Sequence, residues 1–349
     1  MVAIVYLDPS VFVCPTQSDS IGEHVSKIEQ YVETLGSLRD RLRSTIVQLL
    51  ISRDTATLLS IANCYPVFPS LREGLQRAGL DEVYQPGDVV RLVDQLLREA
   101  HPLEAYVGVT AVIADPLAIV TPYEYVGDGP ARELQDVQYL TLAIGLHLRA
   151  LLPELLWIVG RLNRVVVVPE GGSAVLKISG EIQDIELTAP AANVPVPFVA
   201  EAAISGGASC KQFFDGIDLH RLSDDLTEDS LAEIITLALS QANIQESHSW
   251  MIGPKFFGSV AGLNLQKNPA NFRSLLAACV CTIGGTEMGK THFLRTGVGG
   301  GNPQIKKDGA AAWRRDVDRG FHLHYWVRGV SLEFGSCVVH DDFSIPDPR

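Results

Sequence analysis

The residues best equipped for chemistry gather near the carboxy end. From Lys290 the chain reads KTHFLRTGVGGGNPQIKKDGAAAWRRDVDRGFHLHYWVRGVSLEFGSCVVHDDFSIPDPR, which holds His292, His322, His324 and His340, four of the nine histidines. The same stretch carries a glycine run, several Lys and Arg, and the pair Asp341–Asp342. Imidazole titrates near neutrality, so it can take or give a proton at working pH. FHLHYWV and SLEFGSCVVHDDF read as successive strands of an antiparallel meander that turns at Arg328-Gly329. Side chains alternate along a strand, so Phe321, Leu323, Tyr325 and Val327 are expected to face a core, and His322, His324 and Trp326 the other way. On the next strand Leu332 and Phe334 are core and Glu333 points outward, with His340 near the end. DGAAAWRRDVD reads as a short helix that supplies Arg314 and Arg315.

The expected catalytic set is therefore His322, His324, His340 and Glu333, and the expected phosphate-binding set Lys290, Arg295, Arg314 and Arg315. This kit suits phosphodiester cleavage. One imidazole takes the proton of an attacking 2′-hydroxyl, a second protonates the leaving oxygen, cations stabilise the phosphorane, and Trp326 or Tyr325 stacks a base. No cofactor is needed. Small ribonuclease toxins built on an antiparallel sheet use such kits, a likeness of composition and layout only. The function expected is a metal-independent nuclease, RNA-cleaving, of toxin or antiviral defence-effector type, with nucleic acid held at the C-terminal region. Two alternatives stand beside it. His322-Leu-His324 puts two imidazoles on one strand face, a spacing found in cupins and carbonic anhydrases, and His340 or Glu333 could complete a divalent-metal site; the cupin glutamate spacing is shorter, however, and its second motif is missing. A His-rich, aromatic-rich face can also be a plain binding surface with HDDF a turn. The chain would then be a non-enzymatic interaction subunit of a multi-protein complex, with a protein partner on its helical N-terminal half.

Two further motifs invite a nucleotide or a metal. Gly284 to Thr291 fits GxxxxGK[ST], preceded by SLLAACVCTI, which reads as an apolar strand. In a phosphate-binding loop a helix starts at the Lys-Thr, and HFLRTGVGGGNPQ cannot make one, so a glycine-rich turn is the better reading. VAIVYLD is short, apolar and β-branched, a buried strand. The phrase YLDPSVFV resembles the start of PIN-type nucleases, in which a first-strand Asp holds a metal; the resemblance implies that role for Asp8, whereas Pro9 alone implies only a turn.

The elements that must position these residues belong to an α+β chain. Hydrophobic residues are 46% of 349 and charged residues 20%, enough for a sizeable core. Net charge is −13, which argues against a general nucleic-acid binder, but it is uneven. From residue 246 there are 12 Lys+Arg and 9 Asp+Glu, net +3; the rest has 16 and 32, net −16. No run of about 18 uncharged apolar residues exists, so no membrane span is expected. With no basic flank before the first strand, a cytoplasmic location is expected, with six reduced cysteines, Cys279 and Cys281 among them on an apolar strand. A helix-rich body with mixed β elements is expected over 1–160, a mixed β/α middle region over 161–245, and an α+β candidate catalytic domain with an antiparallel meander over 246–349. The spacing predicts helices over 21–35, capped by Ser20 and ended by Gly36, over 38–52, across TATLLSIANC, SLREGLQRAGL and DVVRLVDQLLREA, from Pro130 to about 151, and over 227–242. AYVGVTAVIA, AIVTPYEYVG, RVVVV, SAVLKIS, DIELTA and PFVAEAAIS read as strands, and residues 189–198 as a linker.

Overall fold

A computed structural model describes residues 2–15, 20–114, 125–147, 156–160, 174–187, 198–207, 216–223, 226–286, 290–297 and 301–349. The expected strand RVVVV, most of AIVTPYEYVG and nearly all of the 189–198 linker lie outside the described residues. The fold is α+β, and the chain divides into two compact units, Val2–Ile217 and Asp218–Arg349. The sequence-based middle region is shared between them: its long strands extend the first unit's sheet, and its helix joins the second.

The first unit is built on β1 (Ala3–Leu7), whose five residues are all buried. It pairs in parallel with β2 (Val47–Ile51) on one side and β5 (Leu156–Val159) on the other. A strand covered on both faces needs a continuous apolar run, which AIVYL provides. The sheet continues to β3 (His101–Pro102) beyond β2. Beyond β5 come β7 (Phe198–Gly207), then β6 (Ala174–Leu187) and β4 (Val109–Ala114), the last two antiparallel. SAVLKIS and DIELTA are thus one strand, because Gly180 and Glu181 keep pairing with β7. Around the sheet stand α1 (Ile21–Asp40), α2 (Thr55–Ile61), α3 (Phe68–Ala78), α4 (Pro86–Glu99), α5 (Leu103–Val107) and α6 (Pro130–His147). Ser20 caps α1 by accepting from the Glu23 amide, as expected. The helix runs through Gly36, however, and the expected helix over 38–52 gives way to β2. Ser44 turns the chain by accepting from the Ile46 and Val47 amides, and the apolar run that follows buries itself beside β1. The first three residues of AYVGVTAVIA end α5, and its strand begins only at Val109.

In the second unit α7 (Glu228–Gln241) starts with a reciprocal Thr227–Ser230 capping box. After it come β8 (Ser249–Ile252), α8 (Phe256–Gly262) and α9 (Pro269–Ile283). The SLLAACVCTI stretch is therefore helix, not strand. Asn268 caps the Ala270 and Asn271 amides, Pro269 sits in the first turn, and Phe272, Leu275, Leu276, Cys279, Val280 and Ile283 follow helical spacing into the core. Cys279 is consequently buried while Cys281 is half-exposed.

The sheet of this unit is formed by β9 (Thr291–Phe293), β10 (Lys306–Lys307), β11 (Ala310–Asp316), β12 (Phe321–Arg328) and β13 (Ser331–Val339), all antiparallel to their neighbours, with β8 parallel to β13 at one edge. DGAAAWRRDVD is strand, not the expected helix. Asp308 and Gly309 both have positive φ (51° and 77°), which makes a tight hairpin between β10 and β11. That turn overrides the helix preference of three alanines. α8 packs on β13, and α9 on β11 and β12. The opposite, outer face is covered by residues 341–349. Between Ser336 and Phe334 the β12–β13 register slips, leaving Gly335 as an unpaired bulge.

Candidate functional site

Strand register decides which side chains share the outer face. Directly opposed residues lie on the same face, and Arg314 opposes both His292 on β9 and His324 on β12, while His324 opposes Ser336 on β13. His292, Arg314, His324 and Ser336 thus form one row across the sheet. The adjacent row holds Asp316 and His322, also opposed.

His322, His324 and His340 come together as the alternation requires. The His322 ring lies 4.5 Å from that of His340 and 6.3 Å from that of His324. Their environments differ, however. His322 is 1% exposed, and its Nε2 is 3.0 Å from Asp316 Oδ1. Burial, then the Arg314 charge, hold its pKa below the usual imidazole value against the pull of Asp316. His324 is fully buried and its Nδ1–H donates to the Ser344 carbonyl at 2.8 Å. Burial pushes its pKa down to about 4, opposed by that hydrogen bond. Both rings are therefore neutral at pH 7. His340 alone of the three reaches solvent, its side chain 58% exposed and its Nδ1 3.3 Å from Asp341 Oδ1. Glu333 is also buried; it opposes Trp326 and accepts from the Arg349 amide at 2.9 Å.

The four expected phosphate ligands separate. Because β11 is a strand, Arg314 and Arg315 point to opposite faces. Arg315 is buried on the helix side, where its guanidinium donates to the Thr286 carbonyl at 2.9 Å and to Thr291 Oγ1 at 3.4 Å. It ties Thr286 and Thr291 together and is out of reach of a ligand on the outer face. Arg314 stays on that face, its guanidinium 5.7 Å from the Phe343 ring centre. Arg295 lies 5.8 Å over Phe293 and donates to the Asn302 carbonyl. Lys290 is exposed just ahead of β9.

Arg295, Arg314 and His340 line one open cleft of about 600 Å³, together with Thr291, His292, Phe293, Gly297, Trp313, Asp341 and Phe343. His292, Phe293, Trp313 and Phe343 are the members that sequence reasoning missed. Phe293 and Trp313 oppose one another across β9 and β11, with ring centres 4.6 Å apart. The only signal for them was Thr-His-Phe, a three-residue strand hidden against a glycine-rich run.

The other two motifs are accounted for structurally. The GxxxxGK[ST] match follows a helix and leads into β9, the reverse of a strand-to-helix phosphate loop. Asp8 is fully buried at the end of β1. Oδ1 caps a short 3-10 turn through the Ser10 amide at 2.8 Å, and Oδ2 accepts from Gln135 Nε2 at 3.1 Å and from the Tyr139 hydroxyl. Burial raises its pKa despite these donors. With both oxygens engaged by protein donors, Asp8 acts as a cap rather than as an exposed metal ligand. Among the described residues no group of three His, Cys, Asp or Glu is placed to hold a metal, and no helix is long and apolar enough to cross a membrane. No protein-family model, no curated protein and no solved structure matches the chain.

Proposed function

We propose that the second unit is a metal-independent ribonuclease acting in the His292–His340 cleft, with His340 and His292 rather than His322 and His324 as the proton-transfer pair. The observation that carries this is the shared lining of one cleft by two exposed histidines, two arginines and an aromatic pair. Asp341 beside His340 Nδ1 favours a proton there and leaves Nε2 to take one, so His340 is the base for the 2′-hydroxyl. As the 2′-oxygen bonds to phosphorus, Arg314 and Arg295 stabilise the charge on the phosphorane oxygens. The phosphorus–O5′ bond then breaks, and His292 gives its proton to the leaving oxygen. Phe293 and Trp313, which by alternation face away from Arg314 and meet the cleft at the β9 edge, offer faces on which a base can stack. His322 packs against His340 and serves as a positioning residue.

A ribonuclease of this kind fits a toxin or defence effector working in the cytoplasm. The test uses a labelled single-stranded RNA and the same strand with one 2′-deoxynucleotide at the cleavage position, each with and without EDTA. Cleavage that ignores EDTA and stops at the deoxynucleotide is expected; cleavage of the deoxy strand, or loss of activity in EDTA, overturns the reading. The rival, a non-enzymatic interaction subunit, draws on Ile61, Val67 and Phe68, which leave apolar surface 45%, 46% and 50% exposed within eight residues of the first unit.

A further inference from the structure

Four buried polar atoms sit together on the outer face of the second sheet with no hydrogen-bond partner among the described residues: Arg314 Nε, His322 Nδ1, His324 Nε2 and Ser336 Oγ. Arg314, His324 and Ser336 occupy successive strands of one row, with neighbours about 5 Å apart by sheet geometry. Buried polar atoms are nearly always paired, because leaving them unpaired is costly. Four such atoms in one place point to a surface shaped for a second state.

What covers them is the segment 341–349, held by a few contacts that can be broken one by one. The Ser344 carbonyl accepts from His324 and the Pro346 carbonyl from Trp326 Nε1, both at 2.8 Å. Lys307 pairs with Asp347 on the surface at 2.5 Å, and Phe343 and Ile345 pack on the apolar cluster of Leu294, Ala310, Ala312 and Trp326. The segment also divides two cavities. Asp341 and Phe343 line the His292–His340 cleft, whereas Asp342, Ser344, Ile345 and Pro346 line a second cavity of about 770 Å³ along the β13 edge, with Ser336 in its wall.

We propose that the row Arg314–His324–Ser336, with His322, is a ribose-phosphate subsite for an RNA strand, closed here by residues 341–349, and that this strap lifts so that the strand runs from the cleft to the β13-edge cavity. The chemistry of the row fits one nucleotide unit. Arg314 and Ser336 bring donors for phosphate oxygens, and the free lone pairs of the two imidazoles accept from a 2′-hydroxyl, which DNA lacks. The inference rests on the ribonuclease reading of the same face, and the experiment separates the two.

Amide hydrogen exchange is followed at Asp342, Phe343, Ser344 and Ile345 in the full chain carrying His340→Ala, alone, with a 12-nucleotide RNA and with DNA of the same sequence. RNA is expected to speed exchange of these amides by about tenfold, and DNA to leave it nearly unchanged. Ile345→Ser, which removes an apolar anchor of the strap, is expected to bind the RNA about fivefold more tightly. Bound RNA with strap exchange unchanged or slowed, equal effects of RNA and DNA, or no RNA binding by either variant overturns the proposal. Faster strap exchange with RNA, while the wild-type chain cleaves none, keeps this subsite and removes the ribonuclease reading; cleavage with an unmoved strap does the reverse.

Discussion

Asp8 in the first unit and the His322–His324 pair in the second are both fully buried ionisable groups that sequence reading marks as active. Their partners tell them apart. Both oxygens of Asp8 accept from the protein, through Ser10, Gln135 and Tyr139. Each of the two imidazoles has one nitrogen engaged and the other unpaired. A saturated buried group is explained by the fold it supports, whereas an unsaturated one still has bonding capacity to offer a ligand. Burial alone does not distinguish structural chemistry from functional chemistry; what sets the second unit apart is that its unpaired atoms lie together on one sheet face.

The sharpest way to break this comparison is through the cleft. His340→Ala should lower RNA cleavage by about 10²–10⁴-fold, the usual share of one proton-transfer group, with thermal unfolding nearly unchanged because the side chain is mostly exposed. Single-turnover cleavage beside a melting curve checks both halves. Asp8→Ala should do the opposite. It strands the Ser10 amide, Gln135 and Tyr139 in the interior and should cost roughly 4 kcal/mol of stability, with no change in cleavage per folded molecule, as denaturant titration and activity at matched folded fraction would establish.

His324 links the comparison to pH. Its folded-state pKa of about 4 lies below the unfolded value, so between roughly pH 6.5 and 4 the unfolded chain binds a proton that the folded chain refuses. Stability from this group is therefore complete above about pH 6.5, falls as the pH drops to about 4, and is flat below; the difference is about 3 kcal/mol. His324→Gln should flatten that slope in chemical-denaturation curves taken across the window. The smallest effect belongs to phosphate contact: Arg314→Gln should weaken RNA binding about tenfold and reduce the salt dependence by about one counterion, measured by anisotropy at several salt concentrations.

How much of this was legible depended on where local and long-range forces agree. The two histidine strands and their turn were legible because alternation, aromatic content and an Arg-Gly turn all favoured one hairpin, and that hairpin placed His322, His324 and His340 on one face. Helices α1, α3, α4, α6 and α7 were legible from apolar spacing, with Ser20 and Thr227 also read as caps; α3 and α4 begin ahead of Ser70 and Asp88, with no side-chain cap. The errors fell where a local preference was overruled. Ala310–Ala312 favours helix, yet the Asp308-Gly309 turn and pairing with β12 make it strand, and this alone sends Arg315 to the wrong side for phosphate. Residues 47–51 and 274–283 are both short apolar runs, which periodicity alone cannot assign to strand or helix; the first found a parallel partner in β1 and the second a cap in Asn268. His292 entered the cleft through the β9–β11 register, a long-range pairing that no local pattern encodes.

Gly335 has a consequence that reaches the whole outer face. It is the one supernumerary residue of β13, and it sets the strand's phase: Phe334 lands beside Tyr325 under α8, while Ser336 lands beside His324. A methyl group here would meet Ile345 Cγ1 at 2.9 Å, so alanine would press upward on the covering segment. Pairing this stretch without the bulge would be far worse. With Gly335 drawn into the ladder opposite Tyr325, the half of β13 before it would invert, carrying the Glu333 carboxylate into the greasy interior and Phe334 out to the histidines, so this single unpaired residue keeps the acid out and the aromatic in.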